Sequence, residues 1–166
     1  MRTTAVIAVA LAACAGMAQA QNTSTWAYFE PDDAPLQAGV VSPEGAQLIL
    51  KCDEPGRRSV YAVIVSPTPL RGSTTRPEVR SIWLTFDAGN RREFRWNYYE
   101  SSVVAMNSRR DRNLAPFLHN LVEAEALEVR FDPEDAQPFN VDFAVTGARD
   151  AIDRVFESCE DESVLD

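Results

Sequence analysis

Residue types that commonly serve in catalysis or metal binding are scarce in this chain. Its 166 residues include one histidine, His119, and three cysteines. Neither a Cys-x-x-Cys pair nor a Gly-x-Ser-x-Gly sequence occurs. Serine or cysteine nucleophiles need an imidazole beside them, and a zinc site needs several nitrogen or sulfur ligands. The composition therefore predicts no nucleophilic enzyme, no metal site and no cofactor.

Long apolar runs are also lacking, and this predicts that the chain has no transmembrane span. The run from Ala5 to Ala13 is far shorter than the ~20 residues that cross a bilayer. Arg2 precedes it, and Ala18-Gln19-Ala20 follows with the small residues of a cleavage site. This order is typical of a secretory signal peptide covering residues 1–20. We expect a mature protein that begins at Gln21 and is periplasmic or secreted.

A lipoprotein signal is the alternative interpretation of the same segment. Leu11-Ala12-Ala13-Cys14 has small residues before a cysteine, as lipoprotein processing requires. Cys14 would then carry a lipid anchor, and the mature chain would be tethered to a membrane.

Basic residues are fewer than acidic residues in this chain. The chain has 16 Lys and Arg against 25 Asp and Glu, for a net charge of −9. Loss of Arg2 with the signal makes the mature protein one unit more negative. Such a surface argues against nucleic acid as a partner, because phosphate backbones bind basic proteins.

Two cysteines remain after export, and the pattern around each predicts that both are buried. Cys52 ends an alternating run from Leu48, and Cys159 lies on the apolar stripe of a helix that includes Ile152 and Val155. An oxidising compartment would join such a pair. We therefore predict a Cys52–Cys159 disulfide.

The order of periodic segments predicts an α+β fold. Alternation favours strands over residues 26–29, 37–42, 46–53, 59–66, 78–87, 91–96, 102–106, 127–131 and 140–145. Helical spacing begins at Leu114 and again after Gly147. We expect one domain, residues 21–159, with an antiparallel sheet or sandwich of about seven to nine strands. Two helices in its C-terminal third, one disulfide, and a loose acidic tail over 160–166 complete the prediction. The run 60–65 is apolar almost throughout, which predicts a strand covered on both faces.

One cluster of acidic, basic and aromatic residues is a candidate ligand or partner surface. Glu93 and Glu100 flank aromatic side chains, and two arginines precede them. Acids beside aromatic rings can hold a sugar, although aromatic residues on a hairpin more often pack in a core. The predicted surface comprises Arg91, Arg92, Glu93, Trp96, Tyr98, Tyr99 and Glu100.

Several short segments together resemble small periplasmic accessory proteins associated with type VI secretion. They are Leu48 to Cys52, Trp83 to Asp87, Phe94 to Trp96, Leu127 to Phe131, and Phe143 to Gly147 leading to the helix with Cys159. The resemblance implies a non-enzymatic envelope protein with a cysteine bridge, and it transfers no catalytic residues.

The prediction from sequence is therefore an exported, non-enzymatic binding or assembly module with an envelope protein as partner. One alternative is a secreted hydrolase of cell-wall or carbohydrate material that uses Glu93 and Glu100. Another is an inhibitor of an exported enzyme, in which the loop from Pro67 to Pro77 would insert into the target.

Overall fold

The computed structural model describes residues 26–30, 34–71, 76–106 and 113–165. The predicted signal peptide, with Cys14, lies outside the described residues. Within the part that is described, none of the helices has the length and apolar character needed to cross a bilayer.

Nine strands and two helices form the described chain. The strands are β1 (Ala27–Phe29), β2 (Gln37–Val41), β3 (Gln47–Cys52), β4 (Val60–Val65), β5 (Glu78–Phe86), β6 (Arg92–Tyr98), β7 (Ser102–Ala105), β8 (Ala126–Phe131) and β9 (Phe139–Ala144). The helices are α1 (Leu114–Leu121) and α2 (Ala148–Ser158). The predicted α+β fold with an antiparallel sheet and two C-terminal helices is confirmed, and the predicted strands agree with these bounds to within two residues.

All nine strands belong to one antiparallel sheet, in the order β1-β2-β3-β4-β7-β6-β5-β8-β9. Strand β7 pairs with both β4 and β6, so it joins the first four strands to the rest. The sheet curls, because β2 near one edge comes close to β9 at the other. Trp26 helps to hold this curl, since its indole Nε1 donates to the Val145 carbonyl at 3.3 Å.

One face of the sheet, the inner face, carries the buried strand positions and both helices. In α1 the buried residues recur at helical spacing, and Pro116 lies in the first turn, where it removes no helical hydrogen bond. Phe117 of α1 meets Trp96 edge to face, with ring centroids 5.0 Å apart. Helix α2 packs against β2 and β3. The helices therefore fill the concave side of the sheet, and neither of the two described helices covers the other side, which we call the outer face.

The predicted disulfide is confirmed: Cys52 at the end of β3 is bonded to Cys159, which follows α2. The segment after Cys159 is not the loose tail that we expected. Asp161 accepts hydrogen bonds from the backbone N–H groups of Arg58 and Ser59, both at 2.8 Å. Val164 and Leu165 are partly buried and pack on the core. The local reason is that the bridge at Cys159 holds this segment against the β3–β4 turn.

Candidate docking face

The outer face of the sheet divides into a polar half and an apolar half. In the polar half, formed by β5, β6, β8 and β9, most side chains are polar or charged, although β5 contributes Val79 and Trp83. Glu128, for example, accepts a hydrogen bond from Asn140 at 3.0 Å and lies 3.8 Å from the Arg91 guanidinium. Polar side chains on an outer face satisfy one another and water, as expected for an antiparallel sheet with one solvated side.

The apolar half is formed by β1, β2, β3, β4 and β7, and a single cross-strand row runs through it. The strand register aligns Ala27 with Gly39, Gly39 with Ile49, Ile49 with Val63, and Val63 with Val104. Five strands spaced about 4.8 Å apart span about 19 Å between the outermost strand axes. A fully apolar row of this length across an outer face is unusual, since alternation normally places polar residues there.

Two flanking rows carry further apolar residues with polar ones between them: Gln37 and Lys51 lie between Phe29 and Tyr61, and Gln47 lies between Val41 and Val65. We call the apolar members of the three rows the apolar outer face: Ala27, Phe29, Gly39, Val41, Ile49, Tyr61, Val63, Val65 and Val104. Phe29 is 64% exposed and Val41 70% exposed. Among the residues that the structure describes, the remaining large hydrophobic residue with comparable exposure is Val79, at 49%, on the outer side of β5. Contiguous exposed apolar surface of this kind commonly marks an interaction site.

Two shallow hollows mark the apolar outer face. The first, of about 240 Å³, lies over β1 to β3 and is lined by Phe29, Val41 and Ile49, among others. Gly39 lies in it, and a Cβ atom at this position would come within 2.9 Å of the Leu48 carbonyl oxygen. Glycine therefore permits the close approach of β2 and β3 and leaves the hollow open.

The second hollow, of about 320 Å³, lies over β4 and β7 and includes Tyr61, Tyr99 and Met106. The Tyr61 hydroxyl donates to Asp53 at 2.7 Å. Burial and then the neighbouring Asp53 carboxylate raise the pKa of Tyr61 well above its ordinary value. Tyr61 therefore stays protonated at any physiological pH, and this hollow has a fixed polar rim on one side.

The surface predicted from Arg91 to Glu100 is not continuous in the structure. Trp96 and Tyr98 are fully buried, because alternation along β6 turns them to the inner face. Arg91, Arg92 and Glu93 are exposed, and Glu93 accepts a hydrogen bond from the Ser81 hydroxyl on the polar half.

Two members of that predicted surface lie beyond the end of β6. Tyr99 borders the second hollow, and Glu100 is exposed in the turn before β7. From Glu93 to the end of β6 at Tyr98 the strand alone extends about 17 Å. Glycosidase carboxylates lie about 5 to 9.5 Å apart. Glu93 and Glu100 therefore do not form such a pair in this structure.

The loop from Pro67 to Pro77 is described at residues 67–71 and 76–77. Leu70 is buried, and its N–H donates to the Glu100 carbonyl at 2.6 Å while its own carbonyl accepts from Glu134 N at 3.0 Å. Arg71 binds Glu134 at 3.1 Å and Glu78 at 3.4 Å. This part of the loop is thus tied across one end of the sheet.

A cleft of about 490 Å³ lies beside that loop, between Pro69, Arg71, Pro133 and Phe139. The Arg71 guanidinium also donates to the Tyr98 and Arg76 carbonyls, both at 3.4 Å. With its donors engaged in this way, Arg71 offers little to an anionic ligand in the cleft. Among the residues that the structure describes, no cluster of three or more potential metal ligands is found.

Sequence reasoning missed the apolar outer face, although one signal pointed toward it. The apolar run of β4 predicted a strand covered on both faces, but Tyr61, Val63 and Val65 are only half-buried on the outer side. The contacts of β4 are mainly with its sheet neighbours β3 and β7. The apolar run correctly indicated that β4 has two apolar faces. It could not indicate whether a segment of this chain or a different protein covers the outer one.

Comparison of the chain with protein-family models, with curated proteins and with solved structures finds no match.

Proposed function

We propose that this protein is an exported, non-enzymatic binding or assembly module that holds an envelope protein on its apolar outer face. The single observation that carries the proposal is the unbroken apolar row Ala27–Gly39–Ile49–Val63–Val104. Leaving such a row in water forfeits about 25 cal/mol for each Å² of apolar surface that a partner could bury. A role as an accessory protein of type VI secretion agrees with this mode of action, and it rests on the sequence resemblance alone.

The protein partner is favoured over a small molecule by the shape of the face. Both hollows are shallow and small, at about 240 and 320 Å³. Small-molecule sites are typically enclosed and bury most of the ligand. An extended apolar strip with Phe29 and Val41 projecting from it is instead the form of the central region of a protein interface, which is depleted in charge.

Site-specific photocrosslinking in the native envelope tests the proposal. A photoreactive amino acid replaces Val41 on the apolar outer face or, as a control, Val79 on the polar half. We expect a specific crosslinked protein from position 41 and none from position 79. The captured protein is then purified and its Kd is measured with the wild type, Val41→Arg and Val79→Arg.

Val41→Arg should weaken binding of the purified partner by at least tenfold, because burial of a valine side chain contributes about 1.5 to 3 kcal/mol. Val79→Arg introduces the same charge on an exposed valine and should leave the Kd within about twofold of the wild type. Equal effects of the two substitutions, or crosslinks from position 79 alone, would refute the proposed docking face.

A further inference from the structure

Strand β1 lies at one edge of the sheet. Among the described residues it pairs with β2 alone, through Ala27 to Phe29. Natural proteins usually protect sheet edges with very short strands, charges, prolines or covering elements, and of these β1 shows the first, with three residues. The opposite edge, β9, follows this rule, since Asn140 and Asp142 are exposed on it. The three residues of β1, Ala-Tyr-Phe, contain neither charge nor proline.

On its inner side β1 contacts helix α2, whose exposed stripe has more acidic than basic residues. The Tyr28 hydroxyl donates to Asp150 of α2 at 3.0 Å, and the Arg154 guanidinium lies 3.8 Å from the centre of the Tyr28 ring. Asp150, Asp153, Arg154 and Glu157 are all exposed. Their spacing places them on one stripe of the helix. The stripe thus has three carboxylates against one guanidinium, which is already engaged by Tyr28.

The outer side of the same edge is apolar. Phe29 is 64% exposed, and it borders the first hollow with Val41 and Ile49. Successive residues of a strand point to opposite faces of its sheet. A strand added beside β1 would therefore place one set of alternate side chains next to Phe29 and the other set next to Tyr28 and the acidic stripe.

We propose that the β1 edge accepts an extended segment of the partner protein as an additional strand, with apolar side chains at one set of alternate positions and Lys or Arg at the other. The inference rests on the proposed docking function and specifies the chemistry of the partner. Main-chain hydrogen bonds to an edge strand provide affinity, and side chains on the two faces provide specificity. The charge of −9 on the whole chain adds long-range attraction for a basic segment.

A second copy of this chain fits the edge poorly. Pairing β1 with its own copy would bring two acidic stripes together, and both molecules carry the same net charge of −9. Like charges opposed across an interface disfavour association. The occupant is therefore a basic, amphipathic segment of a different protein.

Binding of synthetic peptides to the full mature chain tests the proposal. The probe is a fluorescent peptide of nine residues with alternating Val and Lys, and its Kd is measured by anisotropy. In each of two N-methylated versions, the main-chain N–H groups along one edge of the peptide strand are blocked, and the two versions block opposite edges. A Val–Glu peptide reverses the charge of the probe. We expect the probe to bind, one N-methylated version to bind at least tenfold more weakly, the other to bind like the parent, and the Val–Glu peptide to fail.

Charge substitutions on the protein locate the basic side chains of the probe. Asp153→Lys/Glu157→Lys should weaken binding at least tenfold. The control pair Glu100→Lys/Asp135→Lys makes the same change in net charge on exposed residues away from β1, and it should change the Kd by less than about threefold. Equal weakening by both pairs, or binding of both N-methylated peptides like the parent, would overturn strand addition at this edge.

This experiment and the photocrosslinking experiment can fail independently. If no peptide binds while the envelope partner still requires Val41, strand addition is wrong and the docking function stands. If the peptide binds as expected while position 41 crosslinks nothing in the envelope, the edge accepts a strand but the proposed docking function is wrong.

Discussion

Removal of the Cys52–Cys159 disulfide should lower the stability of this protein more than any surface substitution. The bridge joins residues 107 positions apart, and closing a loop of that length removes unfolded-state entropy worth about 4.8 kcal/mol at 25 °C. A domain of this size is typically stable by about 5 to 15 kcal/mol in total. The bridge therefore accounts for a third or more of the stability that we expect.

The folded contacts near the bridge do not depend on the sulfur atoms. The Gly56 N–H donates to the Cys159 carbonyl at 2.7 Å, and Asp161 binds the same turn through backbone groups. These contacts position the two chain segments even in a Cys→Ala variant. We therefore expect each variant to keep the native fold and to lose stability mainly because its unfolded state is less constrained.

Thermal unfolding of Cys52→Ala, Cys159→Ala and the double variant measures the effect. Each kcal/mol shifts the Tm of a domain near 150 residues by about 2 to 4 °C, so a loss of about 4.8 kcal/mol corresponds to about 10 to 20 °C. Because either substitution removes the same bond, the two single variants and the double variant should have nearly equal Tm values. Wild-type protein refolded under reducing conditions should match them.

Two results would refute this reasoning. Single-variant losses that add in the double variant would show that each sulfur contributes separately through packing, as Cys159 is fully buried, and not through a shared bond. A wild-type Tm that is unchanged by reduction of the unfolded chain would show that the bridge carries no entropic stabilisation.

Two further predictions concern groups outside the docking face. Asp161→Ala should destabilise the protein by about 1 to 3 kcal/mol in urea unfolding, because the backbone N–H groups of Arg58 and Ser59 lose a charged acceptor, and Asp161→Asn should recover part of that loss. Burial raises the pKa of Tyr98 to about 12, above its unfolded value of about 10. Ionisation of Tyr98 is therefore disfavoured in the folded state, which loses stability, by up to about 3 kcal/mol, as the pH rises from about 10 through about 12. Tyr98→Phe should therefore lose less stability between pH 10 and 12 than the wild type, and an equal loss would contradict this pKa assignment.

The fold could be predicted from sequence where local pattern and buried face coincide. In β3, Leu48, Leu50 and Cys52 alternate with positions on the outer face, and the structure buries all three. In α2 the apolar stripe likewise identifies the buried side. For such elements the periodicity of the sequence directly predicts which side chains are buried. Both cysteines were therefore predicted to face the core, and the disulfide between them could be predicted as well.

The candidate surface at Arg91 to Glu100 failed for a reason that also lies in periodicity. Residues adjacent in sequence on a strand face opposite sides. Trp96 therefore lies in the core, where it packs against Phe117, while Glu93 lies on the polar half of the outer face. A cluster of functional residue types within ten positions of sequence is not a cluster in space when those positions form a strand.

The apolar outer face depends on long-range register, and for this reason no single segment reveals it. Each of its five strands contributes one residue to the central row, and only strand pairing aligns these residues.

The same strand register determines where the apolar outer face ends. Val104 of β7 pairs with Val63 on one side and with Asn97 of β6 on the other. Because β7 is inserted between β4 and β6, the boundary between apolar and polar halves falls at the β7–β6 junction. A different strand order would scatter the same valines among charged neighbours, so the topology of the sheet, and not composition alone, creates a surface on which a partner could dock.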